Sequence, residues 1–97
     1  MKLDELYNEM LEIAKKIGIT VRKDNGKFKG GTCIINDKDV IVINNSIPIE
    51  ARTSMLAKCL SKYSINNVFM KPQLRDYIDN STENKQDNEI QFIINTN

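Results

Sequence analysis

Three kinds of hydrophobic pattern follow one another along this 97-residue chain. Between residues 2 and 17 the apolar side chains recur every three or four positions, as they do on a helix with one buried face. They are Leu3, Leu6, Tyr7, Met10, Ile13, Ala14 and Ile17. Acidic residues open this stretch, lysines close it and Gly18 follows it, an arrangement typical of helix ends. The pattern predicts an amphipathic first helix.

The second pattern is the alternation of apolar and polar side chains that is typical of strands. Residues 19–23 alternate in this way and predict a half-buried strand. Asn25 and Gly26 follow, a pair that favours the type I′ turn of a tight hairpin. We therefore expect residues 27–29 to form the short return arm of this first hairpin.

The third pattern is a pair of β-branched runs at residues 32–35 and 40–43. The polar residues 36–39 separate them, so the runs predict a second hairpin. Because the 40–43 run is apolar throughout, we expect that strand either to be covered on both faces or to lie at the centre of the sheet.

The rest of the chain predicts two helices and a tail. Pro48 suits the first turn of a second helix, which ends near Lys62. A short third helix is expected over residues 72–79. Residues 80–89 are too polar to bury surface and are expected to be disordered. The apolar residues 90–94 either fray as a terminus or add a strand to an open sheet edge, in this molecule or another.

Together these elements predict an α+β fold in which two to three helices pack on a small antiparallel sheet of about three strands. The element order is α-β-β-β-α-α. Residues 1–79 form a single globular domain, because a chain this short cannot enclose two cores. Residues 80–97 form a polar, disordered tail with a short apolar end.

Composition and charge exclude some broad classes of function. The net charge of +1 gives no general argument for nucleic acid or for a membrane surface. No apolar run approaches the ~20 residues of a transmembrane helix. The amino-terminal residues lack the basic and apolar regions of a signal peptide, so we expect a cytoplasmic protein with reduced thiols. The oligomeric state stays open.

The chain contains no histidine, which excludes the commonest general base and metal ligand. Cys33 and Cys59 are too few for a structural zinc site, which needs four nitrogen or sulfur ligands. Either thiol would lack a histidine base to activate it, so both are expected to pack as small apolar groups. We expect no metal and no cofactor.

One ordered series of residues nevertheless resembles a known catalytic layout. The series is Gly30-Gly31-Thr32-Cys33-Ile34-Ile35, then Val42-Ile43-Asn44, then Glu50 and Arg52, then Leu56-Ala57-Lys58-Cys59-Leu60-Ser61-Lys62. It resembles the small zinc metallopeptidase domains of the ImmA/IrrE type, members of the zincin class. In that family a strand ending in Asn precedes an acidic–basic pair and a helix with Leu-Ala-His-Glu-Leu-Gly-His. The resemblance implies a zincin-like fold over residues 1–79.

The departures from that motif remove its chemistry. Lys58 and Lys62 stand at the two histidine positions, and Cys59 stands at the glutamate position. In the intact motif two histidines four residues apart bind zinc, and the glutamate activates the bound water. Ammonium groups have no lone pair for a metal. The sequence therefore predicts a degenerate, non-catalytic relative of these enzymes rather than a zinc peptidase.

The preferred hypothesis is a binding or regulatory module for a protein or peptide partner. Its site would be the groove between the second helix and the second hairpin, where a zincin holds substrate. The candidate residues are Arg52, Lys58, Cys59, Lys62 and Arg75. Their cations would attract acidic groups of the partner. The competing interpretation is an ordinary solvated helix face, on which lysines four residues apart are common.

A second hypothesis is a small nucleic-acid-binding protein that uses the first hairpin. The candidate cations on that hairpin are Arg22, Lys23, Lys27 and Lys29. They could contact phosphates while Phe28 stacks on a base. A solvated hairpin tip would carry the same residues. A third hypothesis, an enzyme of another type, lacks a recognisable set of acid, base and nucleophile.

Overall fold

The computed structural model describes residues 1–28 and 30–81, and the fold is that of these residues. Its elements in chain order are α1 Leu3–Lys16, β1 Thr20–Asp24, β2 Gly30–Ile35, β3 Lys38–Asn44 and α2 Ile49–Leu60. A third helix, α3, covers residues 72–81. The predicted α+β class and the order α-β-β-β-α-α are confirmed.

The ends of α1 and the start of α2 lie where the sequence pattern placed them. Gly18 follows α1 with φ at +82°, and its N–H donates to the carbonyl oxygen of Lys15 over 3.1 Å. Glycine suits this left-handed position because it has no Cβ to clash with the backbone. Pro48 immediately precedes the first residue of α2. The turn signals thus set the lengths of both helices.

The sheet is mixed rather than wholly antiparallel, with the strand order β1-β3-β2. β3 pairs in parallel with β1 and antiparallel with β2. It therefore lies at the centre, which is one of the two arrangements that its apolar pattern predicted. Asn36 and Asp37 form the hairpin turn with φ of 53° and 65°. Positive φ at both positions is the requirement of a type I′ turn.

The predicted first hairpin is wrong. β1 pairs with β3 and not with the residues that follow it, because the chain leaves β1 and crosses to the opposite edge of the sheet. The buried side chain of Asn44 holds this crossing, whose described residues 25–28 we call the crossover loop. Its Nδ2 donates to the carbonyl oxygen of Gly26 over 2.9 Å and to that of Phe28. Its Oδ1 accepts the N–H of Ser46 over 2.8 Å.

The hydrophobic core lies between the helices and one face of the sheet. Ile41 and Ile43 of β3 point into it and have no exposed surface. Leu74 and Ile78 of α3 belong to the same cluster. Since side chains alternate along a strand, Val42 and its sheet neighbour Gly31 lie on the opposite face. Val40 and Val42, on that face, lie outside the core cluster.

The end of the described chain corrects one boundary. Residues 80 and 81 belong to α3 rather than to a tail, and Ser81 is buried. Residues 82–97 lie outside the described residues, so disorder and strand addition by residues 90–94 stay predictions. None of the described helices has the length and apolar character needed to cross a bilayer.

Candidate functional site

The last two turns of α2 lie against the hairpin of β2 and β3, and this contact closes one end of the predicted groove. Gly30 allows the close approach, because a Cβ there would lie 3.0 Å from Cε of Met55 and 2.5 Å from the carbonyl oxygen of Val42. On the next turn the thiol of Cys59 donates to Sδ of Met55 over 3.4 Å. Packed side chains therefore fill the groove at its Gly30 end.

The groove is open at the other end of the hairpin. A depression of about 360 Å³ lies there, lined by Thr32, Cys33, Ile34, Asp39 and Tyr63. Ile34 is 72% exposed, which is unusual for a large apolar side chain in a sheet. Burial and then the nearby charge of Asp39 raise the pKa of the Tyr63 phenol. The phenol therefore stays protonated at neutral pH and can donate a hydrogen bond at the rim.

The two candidate lysines lie at the end of α2. Lys58 is in its last turn and is partly exposed, while Lys62 follows the helix and is exposed. Burial raises the pKa of the Cys59 thiol, and the charge of Lys62 offsets a part of that rise. Lys62 follows Cys59 by three residues, and its charge acts on the thiol. The exposed side chain of Lys62 is accessible to an acidic partner group.

The two candidate arginines hold the fold together instead. The guanidinium of Arg52 lies 5.4 Å from the centre of the Tyr7 ring, and its Nε donates to the carbonyl oxygen of Ile47 over 3.1 Å. It thus joins α1 to the start of α2. Arg75 on α3 donates to the carbonyl oxygen of Val68 over 2.8 Å. The structure does not gather Arg52, Arg75 and the two lysines into one cationic cluster.

The two thiols differ in burial, and we expect them to differ in reactivity for that reason. Cys59 is buried and Cys33 is partly exposed. Because only the thiolate attacks an alkylating reagent, the raised pKa and the packing of Cys59 both slow its reaction. We expect iodoacetamide at pH 8 to modify Cys33 about tenfold faster than Cys59, or more. Mass spectrometry of peptides from timed samples measures both rates.

A control in urea tests whether the fold causes this difference. Once the chain is unfolded, both thiols should react at similar rates. Equal rates in the folded protein would contradict the burial of Cys59.

The basic hairpin proposed for nucleic acid is not assembled as predicted. Arg22 and Lys23 are consecutive on β1 and therefore point to opposite faces of the sheet. Arg22 also pairs with the carboxylate of Asp24 over 3.6 Å. Lys27 lies exposed in the crossover loop, and Lys29 lies outside the described residues. These cations do not share a hairpin, because β1 pairs with β3 and not with the residues that follow it.

Sequence reasoning missed a second groove, between α1 and the free edge of β1. It has a volume of about 690 Å³, and its lining includes Leu11, Lys15, Val21 and Lys23. The signal was present in the alternation of residues 19–23, which leaves Val21 and Lys23 on the helix side. Only the parallel pairing of β1 with β3 shows that this strand is an edge.

In the sheet formed by the described residues, the two edges are free and differ in charge. β1 carries Arg22, Lys23 and Asp24 among its five residues. β2, with the sequence Gly-Gly-Thr-Cys-Ile-Ile, carries no charge and no proline. Charged side chains and proline are the usual means by which proteins prevent edge strands from pairing with other chains. The β2 edge has neither of these features, and Ile34 and Ile35 on it are exposed.

Within residues 1–28 and 30–81 no three His, Cys, Asp or Glu side chains lie close enough together to hold a metal ion. Lys58 and Lys62 keep the four-residue spacing of the two histidines in the zincin motif. Cys59, at the glutamate position, is buried against Met55.

No family model, curated protein or solved structure matches this chain. The resemblance to ImmA/IrrE-type domains therefore stays a hypothesis.

Proposed function

We propose that this chain is a non-catalytic binding module with a zincin-like fold, and that it takes up an extended segment of a protein or peptide partner. The docking site is the free edge of β2 together with the open end of the groove beside α2. We call this surface the β2 docking edge. The observation that carries the proposal is the uncharged strand Gly30–Ile35 with Ile34 72% exposed.

An edge strand offers both affinity and selectivity to an extended segment. Its outward N–H and C=O groups pair with the backbone of the incoming strand, and alternate side chains of that strand enter neighbouring pockets. The depression beside Thr32, Ile34 and Tyr63 would take an apolar side chain on the helix face. Because apolar side chains of β2 are already exposed, covering them adds a favourable hydrophobic term.

The lysines at the end of α2 add a preference for acidic partners. Lys62 is exposed near the groove, and Lys58 lies one turn before it. Cations at a rim of this kind mainly raise the association rate and select between partners. A partner segment with apolar residues at alternate positions and one or two carboxylates at one end would match this surface.

The absence of a recognisable catalytic set supports a binding role. The chain has no histidine, and burial keeps the Cys59 thiol protonated at neutral pH. If α2 corresponds to the metal-binding helix of a zincin, Lys58 and Lys62 replace its ligands. A groove that once held substrate would then hold a partner without cleaving it.

A synthetic peptide tests the docking edge directly. The probe is a fluorescein-labelled eight-residue peptide with alternating valine and threonine and two terminal glutamates. We expect its anisotropy to rise on titration with the full chain. In nitrogen–proton spectra we expect shifts at the amides of Gly30–Ile35. The matched control peptide carries proline at alternate positions, which removes the N–H donors needed for pairing.

Charge reversal tests the role of the lysines. Lys62→Glu should weaken binding of the acidic probe by about three- to tenfold, because it replaces attraction by repulsion at the rim. The matched control is Lys16→Glu, which makes the same charge change at the end of α1. If the probe leaves the amides of β2 unshifted, or if the proline peptide binds equally well, the proposed function is wrong.

A further inference from the structure

We propose that the strand which the β2 docking edge accepts is β2 of a second copy of this chain. This inference rests on the proposed function and names the partner of the same site. Two β2 strands would pair antiparallel about a two-fold axis and join two three-stranded sheets into one sheet of six strands. Among the described residues, the pairing would leave β1 as the only free edge of each copy, and β1 carries charges.

Charge is the first observation in favour of self-pairing. The six residues of β2 are uncharged, so two copies meet without repulsion between the strands. On the adjoining strand, Lys38 and Asp39 lie beside Ile35 and Ile34 and have opposite signs. A copy of this edge is therefore compatible with itself, whereas a copy of β1 would place several charges close together.

The two-fold symmetry restricts the register of the pairing. In an isologous pair the axis stands perpendicular to the sheet, so directly opposite residues come from the same face. The axis must then pass midway between one residue and the same residue of the second copy, so that this residue pairs with its own counterpart. The central register places Cys33 opposite Cys33 of the second copy. Thr32 then faces Ile34 of the second copy, and Gly31 faces Ile35 of the second copy.

The shape of the edge fits this register on the face of the sheet that Gly31 shares with Val42. Residues 31, 33 and 35 share that face by alternation. A Cβ at Gly31 would meet no atom within 4 Å, so the space above it is open. A depression of about 350 Å³ lies at this point, with Phe28 and Val42 among its lining residues. Ile35, which is 40% exposed, would enter the depression of the second copy, and the contact would occur twice.

The helix face is complementary as well. Ile34 would lie opposite the exposed Thr32 of the second copy, beside the depression that reaches Tyr63. Cross-strand pairs of β-branched side chains are favourable in antiparallel sheets. The pairing would therefore cover the two exposed isoleucines of each copy, one on each face of the sheet.

Sedimentation velocity over a range of concentrations tests the association. We expect the full chain to form dimers, and we expect Ile35→Lys to raise the dimer dissociation constant at least tenfold. Both isoleucines are exposed in the single chain, so Ile35→Lys and Ile34→Lys should fold normally, which circular dichroism checks. The matched control is Phe69→Lys, which removes a 90% exposed aromatic side chain outside the sheet and should leave the constant unchanged.

Cross-linking tests the register. Directly opposite residues in an antiparallel pair have Cα atoms about 4.5–5.5 Å apart. A short bismaleimide, which adds one thiol to each of its two rings, should therefore join Cys33 to Cys33 of the second copy. The covalent dimer should persist in Cys59→Ala and vanish in Cys33→Ser. A cross-link that persists in Cys33→Ser would overturn the proposed pairing.

The other possible occupant is the apolar segment 90–94, and Phe92→Lys in the full chain tests it. If Phe92→Lys abolishes the dimer and Ile35→Lys does not, the second copy docks elsewhere and the inference is wrong. If the chain is monomeric at every concentration, the inference also fails. The proposed function then depends on the peptide titration alone, so the two failures are distinguishable.

Discussion

Replacing Gly30 by alanine is expected to cost about 3–5 kcal/mol of the free energy of unfolding. The added Cβ would lie 2.5 Å from the carbonyl oxygen of Val42, which belongs to the central strand and cannot move aside. The φ of Gly30 is +95°, a value that side-chain-bearing residues rarely adopt. Strain and steric clash therefore act together at this position.

A loss of that size approaches the whole stability of many domains of this length, which is about 5–15 kcal/mol. Urea unfolding followed by circular dichroism measures the effect. The matched control is Gly18→Ala, whose φ is also positive at +82° but whose Cβ would meet nothing within 4 Å. We expect about 1 kcal/mol for that variant, from backbone strain alone. Equal losses for the two variants would show that Gly30 does not lie as close to the carbonyl group of Val42 as the structure places it.

Replacing Asn44 by alanine is expected to cost about 2–4 kcal/mol. The side chain of Asn44 is 1% exposed and contacts three backbone groups, at Gly26, Phe28 and Ser46. Without it the carbonyl groups of the crossover loop and the N–H of Ser46 lose their protein partner in a partly buried place. The loop connects the two edges of the sheet, so its release should loosen the start of β2.

The matched control for this variant is Asn45→Ala. Asn45 is exposed, and its backbone N–H donates to the carbonyl oxygen of Asp24 over 2.9 Å. Alanine would preserve this hydrogen bond. We expect its effect to stay within about 0.5 kcal/mol. Urea unfolding of both variants measures the difference. If Asn44→Ala is as stable as Asn45→Ala, the amide does not hold the crossover loop.

Local patterns predicted most of the elements, because each depends on residues close in the chain. The helical spacing before Gly18, the position of Pro48 and the β-branched runs around Asn36 and Asp37 each determine one element. The apolar character of residues 40–43 also predicted that β3 is either covered on both faces or central, and it is central. These signals need no knowledge of distant contacts.

The pairing partner of β1 was not predicted, since the Asn25-Gly26 signal is local and pairing is not. The same dipeptide that favours a tight hairpin also suits a crossing loop once Asn44 accepts and donates the necessary hydrogen bonds. A central β3 does require one neighbour on each side, and this leaves β1 and β2 at opposite edges. The sequence contains this constraint, but the Asn25-Gly26 turn signal favours a hairpin between β1 and the residues that follow it.

The candidate site was predicted only in part. The spacing of Lys58, Cys59 and Lys62 placed them on one helix, and the structure sets that helix against the hairpin. The position of Arg52 on the Tyr7 ring depends on how α1 crosses α2, which no spacing reveals. The exposure of Ile34 and Ile35 depends on β2 being an edge strand. The β2 docking edge therefore could not be predicted without the strand order of the sheet.

Amide hydrogen exchange, followed by mass spectrometry at low and high protein concentration, tests the central claim most directly. The claim is that the free edge of β2 binds another strand. We predict that the peptide covering Gly30–Ile35 gains protection as concentration rises, while the peptide covering Thr20–Asp24 does not change. The same gain should follow addition of the glutamate-bearing probe at low concentration. Unchanged exchange at β2 under both conditions, or protection that arises at β1 instead, would contradict the account.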